Sequence, residues 1–507
     1  MPYFETYIYS FYGVMGLLCQ YILEKMAVDY ENQILLFDYD DLCERSGALR
    51  FAHNKGFQII EYADPEEFRY FYELKLRDNK DVKVIIRVMN EKIYVPYDIR
   101  KRYYNVFVDY ASVFPRLDPV ELKRFRHIDL DLLYIAYQNC FSGVLGAKAT
   151  KEFIEKEMFS RKNADEFVDI VCSRIERSLR EKLSYRDWFE IARDWARVRL
   201  MVDGGFSGRD VKQLCAKING LFKVWMLANY GLLSASTSVE GPVMVHKIND
   251  YMLSKSQRIA LIVIDGMSLE NWLTILASCP DLEYDIETVC CFAMIPTVTT
   301  VSRQSIFSGK LPISHSDAFS LKDEEKQWIE YWVTNGYRES DVYFGRDIEV
   351  DLPHNIKVVG IIVNFIDDLM HGQMQGQKGM YWGVAHWAGS GELKKLIGNF
   401  INRGFDVYIA SDHGNVEAIG QGRPKNDGVL TEMTSLRARV YQDFAITGEV
   451  EEKFKVFTYP GTYMPKGYRY LICDRDTAFG IKGQSYVCHG GMSIEEVIVP
   501  FARIKGM

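Results

Sequence analysis

Short runs of Val, Ile and Leu, each ending abruptly in a small or charged polar residue, punctuate the second half of this chain. Apolar runs without alternation read as strands buried on both faces, as in parallel sheets covered by helices. RIALIVI leads into Asp265, VVGIIVNFI into Asp367, and VYIAS into Asp412. Between them, segments such as ELKKLIGNFINRG repeat apolar residues three and four apart and end with Gly404 in a capping position. From residue 243 to the end, strands and helices alternate, which predicts a doubly wound α/β domain.

The first half divides differently. QILLFDYDD, GFQIIEY and DVKVIIRV read as short buried strands, with DPEEFRYFYELKLRD helical between the last two. This predicts a small α/β domain over residues 1–112. From 113 to 242 the pattern turns helical: KEFIEKEMFSRKNADEFVDIVCSRIERSLREKL keeps helical spacing without a proline. The small, polar SASTSVEGP closes that stretch as a linker at Pro242. The expected organisation is therefore three domains, 1–112, 113–242 and 243–507. Arg174, Arg177, Arg180 and Lys182 interleave with Glu176 and Glu181, the pattern of a solvated helix face. In FDYDDL, Asp38 and Asp40 have the form of an aspartyl-phosphatase loop, but Leu42 stands where that loop needs a threonine. A solvated strand end is the reading for Asp38.

Composition narrows the function classes. A length of 507 residues is enough for two or three domains. The formal net charge of −8 argues against nucleic-acid binding driven by bulk electrostatics, leaving only a local basic groove open. No apolar run reaches membrane-spanning length, and MPYFETYIYS lacks the basic start of a secretory signal, so a cytoplasmic protein without a membrane partner is expected. The ten cysteines contain no C-x-x-C pair and read as reduced, mostly buried thiols, Cys488 beside His489 included.

The polar residues at the strand ends carry the chemistry. Carboxylates and imidazoles are ligands for divalent zinc or manganese, and open α/β sheets present sites at the carboxyl ends of their strands. Asp265 precedes a turn-forming glycine. Asp367 and His371 are four apart, on one face of a helical turn. Asp412–His413 precede Gly414, and His489 stands in CHGG. Together they predict a two-metal site built from four strand ends. Thr297, Thr299, Thr300 and Ser302, between Pro296 and Gly309, offer hydroxyls near a helix start, where the backbone field favours an anion; the alternative for such a hydroxyl is a helix N-cap. His53, His127, His246, His315, His354 and His386 lack comparable partners and read as structural.

The order Asp, Pro-x-x-Thr, Asp-x-x-x-His, Asp-His, His resembles the alkaline phosphatase superfamily of two-metal phosphohydrolases. ASDHGN and HGGMSIEEVIVP are similar to segments of cofactor-independent phosphoglycerate mutases and phosphopentomutases. With VIDGMS, IPTVTTVSRQSIFSGKLP and the added N-terminal half, the chain most resembles PglZ-domain proteins of bacterial BREX-type phage defence. The resemblance implies an α/β fold: an alkaline-phosphatase-like doubly wound sheet at the C-terminal end, preceded by a small α/β domain and a helical domain. It implies two divalent metal ions, zinc favoured and manganese possible. Asp367, His371 and His489 would hold one, and Asp265, Asp412, His413 and Thr299 the other. Thr299 is implied as the nucleophile, three residues after Pro296 and ten before Gly309, with Thr300 as its alternate. A phosphothreonine intermediate would follow in-line attack. Ser302 and Arg303 are expected to contact the non-bridging oxygens, a task suited to a guanidinium fork, with a place on the surface as the alternative for Arg303, and Arg423 and Lys425 are expected along the substrate approach. The implied function is a phosphohydrolase, a phosphodiesterase acting on nucleotide or nucleic-acid phosphoesters, working with other defence-system proteins. A sugar-phosphate mutase and a metal-stabilised scaffold without catalysis are the alternatives.

Overall fold

The structure is a computed structural model describing residues 15–506 apart from 80, 141–142, 280–281, 283, 347, 349, 425–434, 443 and 475. The chain packs as two compact units, residues 1–177 with 206–208, and residues 178–205 with 209–507. The helices of the 113–242 stretch are shared between the two.

The first unit contains a four-stranded sheet of β1 (Gln33–Phe37), β2 (Gln58–Glu61), β3 (Val84–Val88) and β4 (Tyr104–Phe107), all parallel, in the order β2-β3-β1-β4. Leu35, Phe37, Ile86 and Val88 pack against Phe68, Tyr72 and Ile99 from the crossover helices. This accounts for the unbroken apolar runs of β1 and β3. Asp38, directly after β1, is fully buried and not solvated as expected. One oxygen accepts the Leu42 N–H (2.8 Å) at the head of α1 (Leu42–Arg45). The other accepts two bonds from the buried Arg87 of β3, at 3.0 and 2.7 Å. Arg87 also pairs with Asp41 and Glu61, which closes the carboxyl end of this sheet with an internal ion network. Arg174, on α2 (Arg161–Ser178), also departs from the solvated face expected of its stretch. It is buried and faces Asp131 at 3.5 Å.

The second unit is built on β5 (Ile259–Ile264), β6 (Asp285–Phe292), β7 (Val342–Gly345), β8 (Val358–Val363), β9 (Asp406–Ala410) and the last strand of the described chain, Ile498–Lys505. They form one sheet in which β9, β5, β8 and β7 are parallel, while Ile498–Lys505 lies antiparallel between β6 and β9. Ile262, Ile264, Ile361 and Ile409 turn one face towards Trp272 of α3 (Leu269–Ser278), and towards Val384 and Leu396 from two later helices. Gly360 points to the opposite face, where a side chain would collide with Trp328 at 2.9 Å. On that face Trp328 and Phe307 pack edge to face, carried by α4 (Thr299–Ser308) and α5 (Glu324–Thr334). Helices on both faces make the sheet doubly wound, as the apolar runs predict. Burying each Leu, Ile or Trp of these faces stabilises the fold by roughly 1.5–3 kcal/mol.

Two smaller sheets complete the unit. One combines β10 (Val416–Gly420), Thr477–Ala478 and Ser485–Cys488; the other is antiparallel and combines Ala438–Tyr441, Val456–Tyr459 and Arg469–Cys473. All four polar stretches do follow strands, but the strand before His489 pairs with β10 in the small sheet and not with the main one. Among the described residues, no helix is long and apolar enough to cross a membrane.

Candidate metal centre

Asp265, Asp367 and Asp412 leave the carboxyl ends of three neighbouring strands, β5, β8 and β9, so the parallel register gathers their side chains at one edge. Asp367 and His371 project from α6 (Phe365–Gly372), where the four-residue spacing puts His371 Nε2 3.3 Å from Asp367 Oδ2. His489 is delivered from the small sheet. Gly490 after it has φ +110°, and a side chain there would strike Ser435 Oγ at 1.8 Å, so only glycine permits this turn. Gly414 is also constrained: a side chain would meet the Glu495 carbonyl at 1.9 Å.

Two groups of donor atoms result, Asp265–Asp412–His413 and Asp367–His371–His489, each with ligand atoms within 4.8 Å of one another. Within them some oxygens are bonded to protein groups and others are buried without a hydrogen-bond partner. Asp412 Oδ1 accepts the N–H groups of Gly266 (3.1 Å) and His413 (3.0 Å), while its buried Oδ2 has no hydrogen-bond partner. Asp265 Oδ2 accepts from Arg303 Nη1 (2.6 Å), and its Oδ1 lies 3.6 Å from His413 Nε2. Asp367 Oδ1 is buried and unpartnered, 3.9 Å from His489 Nε2. Both buried imidazoles use Nδ1 on a carbonyl, His413 on Gly414 (3.1 Å) and His489 on Thr297 (2.9 Å). That contact fixes the tautomer and turns the Nε2 lone pair towards the carboxylates, the orientation expected of a metal-binding histidine. The two rings stack at 4.0 Å between centroids, which sets the two groups side by side.

The electrostatics of this crowding are strained. Burial, and then the neighbouring Asp412, push the Asp265 carboxyl well above its ordinary range against the opposing pull of Arg303. Burial pushes Asp412 up to about 6, although Arg303 and the Gly266 N–H oppose it. His489 is driven down to about 3 by burial and by His413. For Asp367 burial also raises the carboxyl, but the His371 hydrogen bond and the adjacent histidines outweigh it and hold the group down to about 2. Asp265 and Asp412 thus depend on one guanidinium, Asp367 on histidines, and two of their buried oxygens have no hydrogen-bond partner. A cation in each group would relieve both deficits, so the donor set fits divalent metals.

Thr299 opens α4, whose N-cap is Val298 and carries no side-chain cap, so the threonine is not the N-cap that its position alone suggested. Its hydroxyl lies 3.1 Å from His413 Nε2 and 3.4 Å from Asp265 Oδ1. Thr300 is buried, and its hydroxyl finds no partner among the described residues. Thr297 faces the His489 loop, donating to the Gly491 carbonyl (2.9 Å) and accepting the Gly490 N–H (3.0 Å). Ser302 and Arg303 are both buried and turned to protein groups. The Ser302 hydroxyl accepts the Met294 N–H (2.9 Å), and Arg303 is held by Asp265 and Glu324. Arg423 is exposed, and Lys425 lies outside the described residues. Several supporting residues carried no signal in the sequence. Ser435 donates to the His489 carbonyl (2.6 Å), and Glu496 accepts the Gly491 N–H (2.7 Å) while pairing with Arg437 (2.9 Å). Asn415 bonds the Gly266 carbonyl (2.9 Å) beneath Asp265.

The structure is that of a doubly wound α/β protein with two groups of metal-ligand residues at the carboxyl ends of its strands. The sequence model described as "BREX system PglZ alkaline phosphatase-like domain" matches residues 243–504, more than half of the chain, and the chain belongs to that family. No curated protein matches it. Among solved structures it is similar to murine ectonucleotide pyrophosphatase/phosphodiesterase 5, at 13% identity over 50% of this chain and 88% of that one, with a TM-score of 0.36. It is also similar to phosphonoacetate hydrolase from Sinorhizobium meliloti 1021 in complex with phosphonoformate, at 11% identity over 49% and 90%, with a TM-score of 0.31.

Proposed function

We propose that the protein is a metal-dependent phosphodiesterase acting on nucleotide or nucleic-acid phosphoesters, with Thr299 as nucleophile, in a phage-defence setting. The observation that carries this reading is the Thr299 hydroxyl, 3.1 Å from His413 Nε2, beside carboxylates whose buried oxygens have no protein partner. Asp265, Asp412 and His413, with Thr299, would hold one divalent ion, and Asp367, His371 and His489 the other. Zinc suits these donors, and manganese is compatible with them. The ions would supply charge neutralisation at the attacking and leaving oxygens of an in-line displacement.

The remaining work falls to the chain itself. The uncapped start of α4 directs backbone N–H groups and the positive end of the helix towards the space in front of Thr299, which favours an anionic phosphoryl group. The His413 and His489 tautomers are held by carbonyls, which orients both Nε2 atoms towards the site. A diester carries one negative charge fewer than a monoester dianion. Arg303, whose guanidinium is already taken by Asp265 and Glu324, leaves little positive charge for a second anionic oxygen. This supports the diester over the monoester. The family's BREX description supports the defence setting and a partnership with other proteins of such a system.

The test compares hydrolysis of bis-p-nitrophenyl phosphate and p-nitrophenyl phosphate by chelated protein with zinc or manganese restored. Metal-dependent cleavage of the diester is expected, reduced by about 10³-fold or more in Thr299→Ala. No turnover of either ester with both ions bound would overturn the reading. In cells, Thr299→Ala should lose phage protection, scored by plaque counts.

A further inference from the structure

Arg303 stands at the centre of a buried chain of charges that runs from the candidate metal centre to the surface. Its Nη1 bonds Asp265 Oδ2 at 2.6 Å, while Nε and Nη2 grip the two oxygens of Glu324 at 2.5 and 3.2 Å. Glu324 is 1% exposed and opens α5, where the helix dipole favours a carboxylate. Its Oε2 also accepts from Arg346 Nη2 (2.6 Å), a half-exposed residue just beyond β7. The four residues come from four different elements, so nothing in local sequence links them.

We propose that Glu324 is a positioning residue of the candidate metal centre, acting through Arg303 to decide which oxygen of Asp265 is presented. A guanidinium beside a carboxylate prefers to engage both oxygens with two parallel bonds. Glu324 prevents that here by occupying Nε and Nη2, which leaves Nη1 alone for Asp265. One Asp265 oxygen is therefore neutralised, and Oδ1 stays open towards Thr299 and His413, at 3.4 and 3.6 Å. Without the Glu324 charge, Arg303 would turn to engage Asp265 with both forks and close that oxygen. The inference rests on the proposed function, since it assumes that the Asp265 group takes a metal ion.

The test is calorimetric titration of Mn²⁺ into chelated full-length protein, with each variant's fold checked by its thermal melt. Wild type should bind in two steps. Asp367→Asn should remove one step and so identify the other as that of the Asp265 group. Glu324→Gln should weaken only the Asp265 step, by about 10–100-fold as for other residues that orient metal ligands, and leave the Asp367 step unchanged. A general loss of structure would weaken both steps. Should Glu324→Gln fail to fold, Glu324→Asp keeps the charge with a shorter reach and should show a smaller loss on the same step. Two unchanged steps in either folded variant would overturn the inference and leave the metal-dependent reading intact. A wild type that binds no ion would overturn that reading first.

Discussion

Both units end a buried parallel strand in an aspartate, and the two aspartates live differently. Asp38 in the first unit meets Arg87, two backbone N–H groups and a helix start, so every buried oxygen has a donor. Burial raises its carboxyl and Arg87 pulls it back, while the same contact raises the Arg87 guanidinium. In the second unit Asp265 and Asp412 share the field of one guanidinium and Asp367 has only histidine partners, and oxygens on the latter two carboxylates stay without a hydrogen-bond partner. A buried strand-end carboxylate is thus a fastening when cations match it. It becomes a candidate ligand when the protein leaves it short of positive charge.

The sharpest way to break this comparison is to remove the cation from the matched cluster. Arg87→Met should cost about 3–5 kcal/mol in urea unfolding of the first unit, because it strands a buried carboxylate. A cost below about 1 kcal/mol would show that the cluster is not the fastening described. In the unmatched cluster the missing charge should come from outside. Saturating Mn²⁺ at about 100 times its dissociation constant should stabilise wild type by about 2.7 kcal/mol per site, and Asp412→Asn should lose one site's share.

The same Asp412→Asn variant tests the charge deficit directly in chelated protein. The folded-state carboxyl is raised from its ordinary value of 3.8 to about 6. Its charge therefore destabilises the fold fully above about 6 and not at all below about 3.8. Asp412→Asn, which keeps an oxygen for the Gly266 and His413 N–H groups, should be more stable than wild type at pH 7 by about 1–3 kcal/mol. That advantage should shrink as the pH falls from 6 to 4, and an advantage that grows on acidification would contradict the assignment. The smallest effect belongs to His371→Gln, at the half-exposed edge of the site. Because His371 is the hydrogen-bond partner that holds Asp367 down, metal-free stability should fall by about 0.5–1.5 kcal/mol, and the Asp367 metal step should weaken as well.

How legible these features were depended on how far apart their causes lie in the chain. β5, β8 and β9 and the polar residues after them could be read from apolar runs that end abruptly, a local signal. The Asp367–His371 contact followed from helical spacing. The partners of Asp38 and Arg303 could not be read that way, since Arg87 and Glu324 are 49 and 21 residues away and look like ordinary surface charges in sequence. For Arg303 the sequence left phosphate contact and a surface place equally open, and its buried bonds to Asp265 and Glu324 were not legible. The donor to the His489 carbonyl, Ser435, lies 54 residues upstream and was equally silent. Cys488 reads correctly as a buried free thiol, whereas the burial of Asp38 and Arg174 depends on partners elsewhere in the chain and could not be read locally.

The strand Ile498–Lys505 lies between β6 and β9, and every strand it joins is made before it. During synthesis β9, β5, β8 and β7 can pair as soon as they emerge, with Asp265, Asp367 and Asp412 already at their ends. β6, which leads directly to Thr299, stays unpaired with that sheet until residue 505 has been added, and His489 arrives only shortly before. A chain that lacked Ile498–Lys505 would therefore keep its three carboxylates on paired strands while the strand that leads to Thr299 had no partner in that sheet.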